Sequence, residues 1–444
     1  MSRVTRSRGR AIALVAVLAM ALAACSSSSK KTTTATTAAA TATTKAIPDR
    51  GNVDGVLKIG LDEPQTGDLT VVGPPIFKGA ELAIKQINDA GGVLGKPVQV
   101  VEGDDGGGSN NDIAGATADR MLTSDKVDAI MGPAGSTAVE AVIDKITGAG
   151  ALECSSSATA AALSTTPDNG GFFSRTAPPD KLQGPALADV ITGDSHSKVG
   201  VIVRNDPYGV GFGTYLKAAL KNNGATIVAD IAYDPKGTAF DADVKKLVDA
   251  HPDAVALISF PDTGSLIIKS MIQQGIGPAT TPIYVADGMQ SSTLWQKVDP
   301  NNPAVIKGVK GTAPAAAPQN GSPGFAAAFK AFAPGVDTIF SAHSYDCINL
   351  IALAAVEAKT DDPVQFRRHF IDITHGANAC SSFADCKALL DQGKAIHYMG
   401  ASGPLNLETK PGGGGEPGQG TYDVYTFGAD GKYTSAPKQV VIGG

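Results

Sequence analysis

Residues 128–163, DAIMGPAGSTAVEAVIDKITGAGALECSSSATAAAL, decide how the chain is to be folded. Ala129-Ile130-Met131 is a short apolar run that stops at Gly132-Pro133-Ala134-Gly135. Val139, Val142, Ile143 and Ile146 then recur at helical spacing, and Gly148 and Gly150 end that helix. Ala151 to Cys154 is a second apolar run, and Ser155-Ser156-Ser157-Ala158-Thr159 reads as the opening of another helix. Two such units in tandem bring two hydroxyl-rich loops to helix N-termini, where unpaired N–H groups and the positive end of the dipole suit an anion. In a parallel sheet both loops lie beyond the carboxyl ends of adjacent strands, where small ligands bind. Ser136, Thr137 and the serine run also read as plain helix caps, Thr137 and Glu140 having capping-box spacing. One such loop favours caps; two in tandem favour a carboxylate site.

The pattern extends in both directions. Val56 to Leu61 is a strand, Pro64 to Gly73 a turn-rich loop, and Ile76, Ala80, Ala83, Ile84 and Ile87 one face of a helix that stops at Gly91-Gly92. Pro97 to Glu102 is a strand and Ile113 to Leu122 a helix. Alternation of this kind calls for a parallel sheet flanked by helices. After a break at Thr176 to Asp180 a second alternating set begins. Its strands are Val199–Val203, Thr226–Ala232, Ala254–Phe260 and Ile283–Val285; its helices are Leu182–Ile191, Val210–Asn222, Asp241–Ala250 and Ser265–Gln274. Gly308 to Pro318 reads as another break. Helices at Ser344–Ala358 and Pro363–Ile373 return to the first set, Lys410 to Gly420 reads as an exposed loop, and Tyr422–Phe427 with Gln439–Ile442 as a terminal strand pair. The expected fold class is α/β, with two doubly wound parallel-sheet lobes joined by a hinge that the chain crosses several times. The expected division is 53–177 with 312–400 for lobe 1, and 178–311 with 401–444 for lobe 2.

The 444 residues carry 37 Lys and Arg against 43 Asp and Glu, a mildly acidic balance with no dense basic stripe, which speaks against a nucleic-acid partner. Arg3, Arg6, Arg8 and Arg10 precede an apolar core, Ala11 to Ala21, too short to span a bilayer comfortably. It ends in Leu22-Ala23-Ala24-Cys25, which resembles a bacterial lipobox and implies that residues 1–24 are removed and Cys25 lipidated. Their loss takes four Arg and no acid, bringing the net charge from −6 to −10. Several acyl chains on Cys25 would anchor the protein stably. Ser26 to Ala46 is Ser, Thr and Ala with three Lys, a flexible tether averaging about 25 Å end to end; 25–52 is taken as anchor and tether. The localisation expected is the outer face of the cell membrane.

An exported chain meets oxidising conditions. Cys380 and Cys386 enclose five residues and are expected to be a disulfide. Cys154 and Cys347 read as buried thiols, with a bond between them left open. His375 and His397 with these cysteines match no common zinc spacing, and no metal or cofactor is expected.

Machinery for catalysis is missing from the pattern: no Gly-x-Ser-x-Gly, no His-Glu-x-x-His, no phosphate-binding Lys loop. Gly209-Val210-Gly211-Phe212-Gly213 with Asp230 is a near miss for a dinucleotide site, mis-spaced from its strand. A hydrolase using Ser155 to Ser157 lacks an activating base nearby. Three second-lobe loops remain. Tyr208 lies just past a strand, Phe260 ends another, and Asp287 stands at the tip of a third as a carboxylate facing an anion-binding first lobe.

Taken together, the chain resembles the branched-chain amino-acid type of periplasmic substrate-binding protein (type I), the receptor component of an ABC importer. The resemblance runs over roughly Val56 to Phe427. It is carried by Ile59-Gly60 with Pro64 to Gly73, Gly79-Ala80-Glu81, Ile87-Asn88, Gly91-Gly92, Asp104-Asp105, Gly132 to Ser136 and Ser157-Ala158-Thr159. Asp206 to Gly211 and Asp287-Gly288 extend it into the second lobe. It implies that Ser136, Ser157, Ala158 and Thr159 hold a ligand carboxylate, and that Tyr208 and Asp287 hold an ammonium. Asp287 stands where relatives often have Glu, Val72 near where an aromatic is common, and Phe260 where Tyr is frequent; these departures bear on the ligand's side chain. The implied partners are a small polar solute, an amino acid first, and the subunits of an ABC permease, with the protein itself a non-catalytic monomer. A ligand sensor on the same fold is the alternative.

Overall fold

The computed structural model describes residues 47, 53–108 and 110–444; the leader, Cys25 and the tether lie outside the described residues. The first sheet is built from β1 (Lys58–Asp62), β2 (Gln99–Gly103), β3 (Ala129–Met131), β4 (Leu152–Ser155) and β5 (Phe173–Arg175) in the order β2-β1-β3-β4-β5, all parallel. The second contains β6 (Lys198–Arg204), β7 (Thr226–Tyr233), β8 (Ala254–Ile258), β9 (Ile283–Val285) and β10 (Lys310–Pro314), parallel in the order β10-β9-β8-β6-β7. Two small pairs follow, β11 (Asn378–Cys380) with β12 (Ile396–Tyr398) and β13 (Leu407–Thr409) with β14 (Gly415–Pro417). The chain then returns to the second sheet: β15 (Gln419–Phe427) runs antiparallel beside β10, and pairs in turn with β16 (Tyr433–Ser435) and β17 (Val440–Gly443). Thus the chain passes from the first sheet to the second after β5, back after β10, and across again before β15.

Helix Gly73–Asp89 and helix Ser341–Ala358 seal the first sheet together. They meet at Gly79, where a Cβ would stand 2.1 Å from the Ser341 carbonyl, so only glycine permits this approach. The Ser344 hydroxyl donates to the Ile76 carbonyl across the contact at 2.9 Å. Helix Ser341–Ala358 is buried along nearly its whole length, which explains its continuously apolar and small-residue sequence. Among the described residues no helix is long and apolar enough to cross a membrane.

Several expectations need correction. Ser155 to Thr159 opens no α-helix; only a short 3-10 turn forms, at Ala161–Ser164. The Ser155 hydroxyl donates to the Pro133 carbonyl at 2.7 Å and Ser157 to Ala134 at 3.1 Å, so these side chains bind the preceding loop and hold the backbone out of a helix. The helix Ser136–Gly148 starts from Gly135, with no capping box; the Ser136 hydroxyl accepts instead from the Ala160 N–H at 3.1 Å. Gly308 to Pro318 contains β10 rather than a simple break, and Pro363 to Ile373 yields only short turns at Pro363–Phe366 and Arg367–His369. The stretch Lys410 to Gly420 is not an exposed loop. Its β14 end packs on β5, so the β13–β14 hairpin, assigned from sequence to lobe 2, lies on the first sheet. Gly414 passes so close that a Cβ there would stand 1.7 Å from the Phe173 carbonyl. Cys154 and Cys347 are not free thiols but a disulfide joining β4 to helix Ser341–Ala358, alongside the expected Cys380–Cys386 bond.

Candidate functional site

Each candidate residue stands at the carboxyl end of a strand. From the first lobe, Val72 follows β1, Ser136 follows β3, and Ser157 and Thr159 follow β4. From the second, Tyr208 follows β6, Phe260 follows β8 and Asp287 follows β9. The two crevices face one another, and all seven line a single cavity with Leu69, Ala134, Gly135 and Gly288. Ala158 does not line it: its N–H is taken by the Ser155 hydroxyl at 3.0 Å, and its methyl packs with Val139, Ile143 and Leu163. The space between the two walls is about 20 Å³, enough for a single water, so the lobes stand close together and a larger occupant requires them to part.

The two walls differ in polarity. On the first-lobe wall the start of helix Ser136–Gly148 faces the cavity beside the Ser157 and Thr159 loop. Asp105 fixes that wall from behind, its carboxylate accepting from the N–H groups of Gly107 and Ala134 at 2.7 Å each. Burial nevertheless raises its carboxyl to about 6. The second loop is held by Arg175, whose Nη1 donates to the carbonyls of Ala158 at 3.1 Å and Ala160 at 2.9 Å. Arg175 in turn pairs with Glu416 of β14 at 2.6 Å with both side chains buried, and Lys181 reaches the same carboxylate at 2.7 Å. This pair holds Glu416 below its ordinary value despite burial. Sequence reasoning missed Arg175, because its partner lies 241 residues away.

On the second-lobe wall the Tyr208 hydroxyl donates to Asp287 at 3.2 Å, and the Tyr208 ring stacks on Phe260 with centroids 5.2 Å apart. Burial raises the Asp287 carboxyl to about 6, partly opposed by the Tyr208 hydrogen bond. Behind it lies Asp180, fully buried, with the Thr159 hydroxyl and Arg175 giving it partial support. Burial and the neighbouring Asp287 push the Asp180 carboxyl well up. Among the described residues neither Asp287 nor Asp180 forms a salt bridge, and two buried carboxyls so placed make this wall a place for a positive charge. Asp180, too, was missed; it starts helix Asp180–Gly193, where an acid reads as ordinary helix-start chemistry.

The other candidate chemistries dissolve in the structure. Gly209 and Gly213 lie inside helix Pro207–Asn222, where Cβ atoms would crowd Arg204 and Val203, so their absence of side chain serves helix-on-strand packing. Among the described residues no cluster of His, Cys, Asp and Glu is arranged to hold a metal. A larger cavity, about 210 Å³, lies at the chain crossings between Thr176, His343 and Thr421, but burial lowers His343 to about 3 and leaves it neutral.

Comparison with known proteins identifies the family. Residues 56–412 match the family model described as periplasmic binding protein, and the chain belongs to that family. Its fold is that of the type I periplasmic binding proteins. The Leu/Ile/Val-binding protein homolog 1 of Brucella suis is 27% identical over 385 residues, 84% of this chain and 92% of that protein. The Leu/Ile/Val-binding protein homolog 3 of Brucella melitensis is 28% identical over 54% of this chain, and there the match spans only 63% of the relative's length. Among solved structures, LivJ of Streptococcus pneumoniae in complex with isoleucine superposes with a TM-score of 0.70 at 23% identity, covering 88% of this chain and 100% of that one. A solute-binding protein of R. palustris in complex with 4-hydroxybenzoate superposes with a TM-score of 0.68 at 16% identity, covering 87% and 97%. The family is one of extracytoplasmic binding proteins.

Proposed function

We propose that this protein is a lipid-anchored receptor that captures a small zwitterion, an amino acid first of all, between its closing lobes and delivers it to the permease of an ABC importer. The observation that carries the reading is the opposed polarity of the cavity: a helix start with hydroxyls on one wall, the buried carboxyl of Asp287 on the other. Ser136, Ser157 and Thr159 take the carboxylate, Tyr208 and Asp287 the ammonium, while Val72 and Phe260 meet the side chain. Leu/Ile/Val-binding relatives support the amino-acid class, and the 4-hydroxybenzoate complex marks the main competitor, an acid without an ammonium. Closure about the three crossings would bury the ligand.

Calorimetry of wild type and Asp287→Asn with L-leucine, L-alanine and 4-hydroxybenzoate tests this. Removing one member of a buried charge pair weakens amino-acid binding by about 30-fold or more. The ligand-free melting temperature should not fall, since Asp287 has no cationic partner to lose. Equal affinity of both proteins for an amino acid overturns the ammonium assignment, and binding of 4-hydroxybenzoate alone replaces the ligand class.

A further inference from the structure

At the mouth of the cleft, Arg204 ends β6 with only 1% of its surface exposed. Its Nε donates to Asp206 of its own lobe at 2.7 Å, while Nη1 donates to Asp68 at 3.1 Å, in the loop that follows β1 in the other lobe. The same guanidinium lies 4.0 Å from the centroid of Phe260, the ring that stacks on Tyr208. One cation therefore touches its own lobe, the opposite lobe and a wall of the ligand cavity.

We propose that Arg204 is a positioning residue, a latch that engages Asp68 only when the lobes are shut and thereby fixes Phe260 over the cavity. The Asp206 bond stays within one lobe and survives opening; the Asp68 bond does not. Asp68 keeps 17% of its side chain exposed against 1% for Arg204, so water screens the pair weakly. The latch also answers a repulsion. Glu140 of the first lobe has its carboxyl raised by burial and by Asp206 across the cleft, so closure brings like charges together that Arg204 offsets. Beside the latch lies a polar chamber of about 440 Å³ lined by Asp68 and Arg204 together with Asn110, Thr137 and Lys236.

The ligand arm of the test rests on the receptor reading; the conformational arm does not. Spin labels at Lys85→Cys and Lys245→Cys, exposed positions on helices of opposite lobes, report the separation of the lobes, the four native cysteines of the described residues being paired. Without added ligand, the ratio of short to long distances should fall about tenfold in Asp68→Asn and recover in part in Asp68→Glu, with melting temperatures unchanged. Identical distributions in wild type and Asp68→Asn overturn the latch. With L-leucine as probe, Asp68→Asn should release about tenfold faster at nearly the same association rate. If wild type binds neither L-leucine nor L-alanine, the amino-acid reading fails, and the distance measurement alone decides the latch.

Discussion

Glu153 sits in the middle of β4, fully buried, and neither of its carboxylate oxygens has a hydrogen-bond partner. Asp62 and Glu63 at the end of β1 are in the same condition. Burial raises all three well above ordinary carboxyl values. For Glu153 and Glu63 the nearby Asp62 adds to it, and for Asp62 the charges of Asp105 and Asp104 do so. The folded state therefore keeps protons that the unfolded chain releases near about pH 4. Stability from this source is complete below that value and declines as pH rises through it toward the folded values. Asp104 and Glu416 are shifted down, so their contribution is lost on the acid side instead, and the two trends do not overlap. The ligand-free melting temperature should thus fall as the pH is raised above about 4, and Glu153→Gln, which cannot ionise, should flatten the slope. A variant with the wild-type slope would show that Glu153 is not held as a neutral acid. None of this was legible in the sequence, because an acid in a strand reads as solvent-facing until both faces of the sheet are seen to be covered. The cavity residues were legible for the opposite reason: a strand-end position follows from local pattern alone, and Ser136, Tyr208 and Asp287 needed no distant partner to be found.

At the scale of elements, the sequence was read well wherever periodicity was strong. Helix Asp241–Ala250 and strand Ile283–Val285 have the expected bounds, and helix Gly73–Asp89 only extends the expected face. It was misread where small and polar residues make long-range bonds. The loop from Lys410 looked exposed because it is glycine-rich and charged. Yet Lys410 and Asp168 form a fully buried pair at 2.7 Å, and Glu416 anchors the arginine that braces the Ser157–Thr159 loop. The two disulfides differ in the same respect. Cys154–Cys347 spans 193 residues and ties two buried elements, whereas Cys380–Cys386 spans 6. In the chain-entropy account the first contributes at most about 5 kcal/mol and the second about 2 kcal/mol. Denaturation of Cys154→Ser/Cys347→Ser should show much the larger loss, read as midpoint at constant m-value. Equal losses would mean that the long loop is already constrained in the unfolded chain.

For the whole molecule, the proposed anchor places a two-lobed body at the end of a Ser/Thr/Ala tether starting at Cys25. Cys25→Ala should move the protein from the membrane fraction to the soluble fraction and abolish acyl labelling, with ligand affinity unchanged. Firm membrane association of the variant would contradict lipid anchoring. The body itself is interleaved, since the chain crosses between the sheets after β5, after β10 and before β15. A chain delivered N-terminus first therefore cannot finish either half on its own. The first sheet is laid down early but waits for helix Ser341–Ala358 to cover it, and β10 waits for β15. Through that interval Cys154 is an unmated thiol, and the next cysteine to emerge is Cys347, its proper mate; the competing pair follows only afterwards. The order of the cysteines along the chain thus guards against mispairing as the chain enters an oxidising compartment N-terminus first, a protection that refolding from the fully reduced, full-length chain would forfeit.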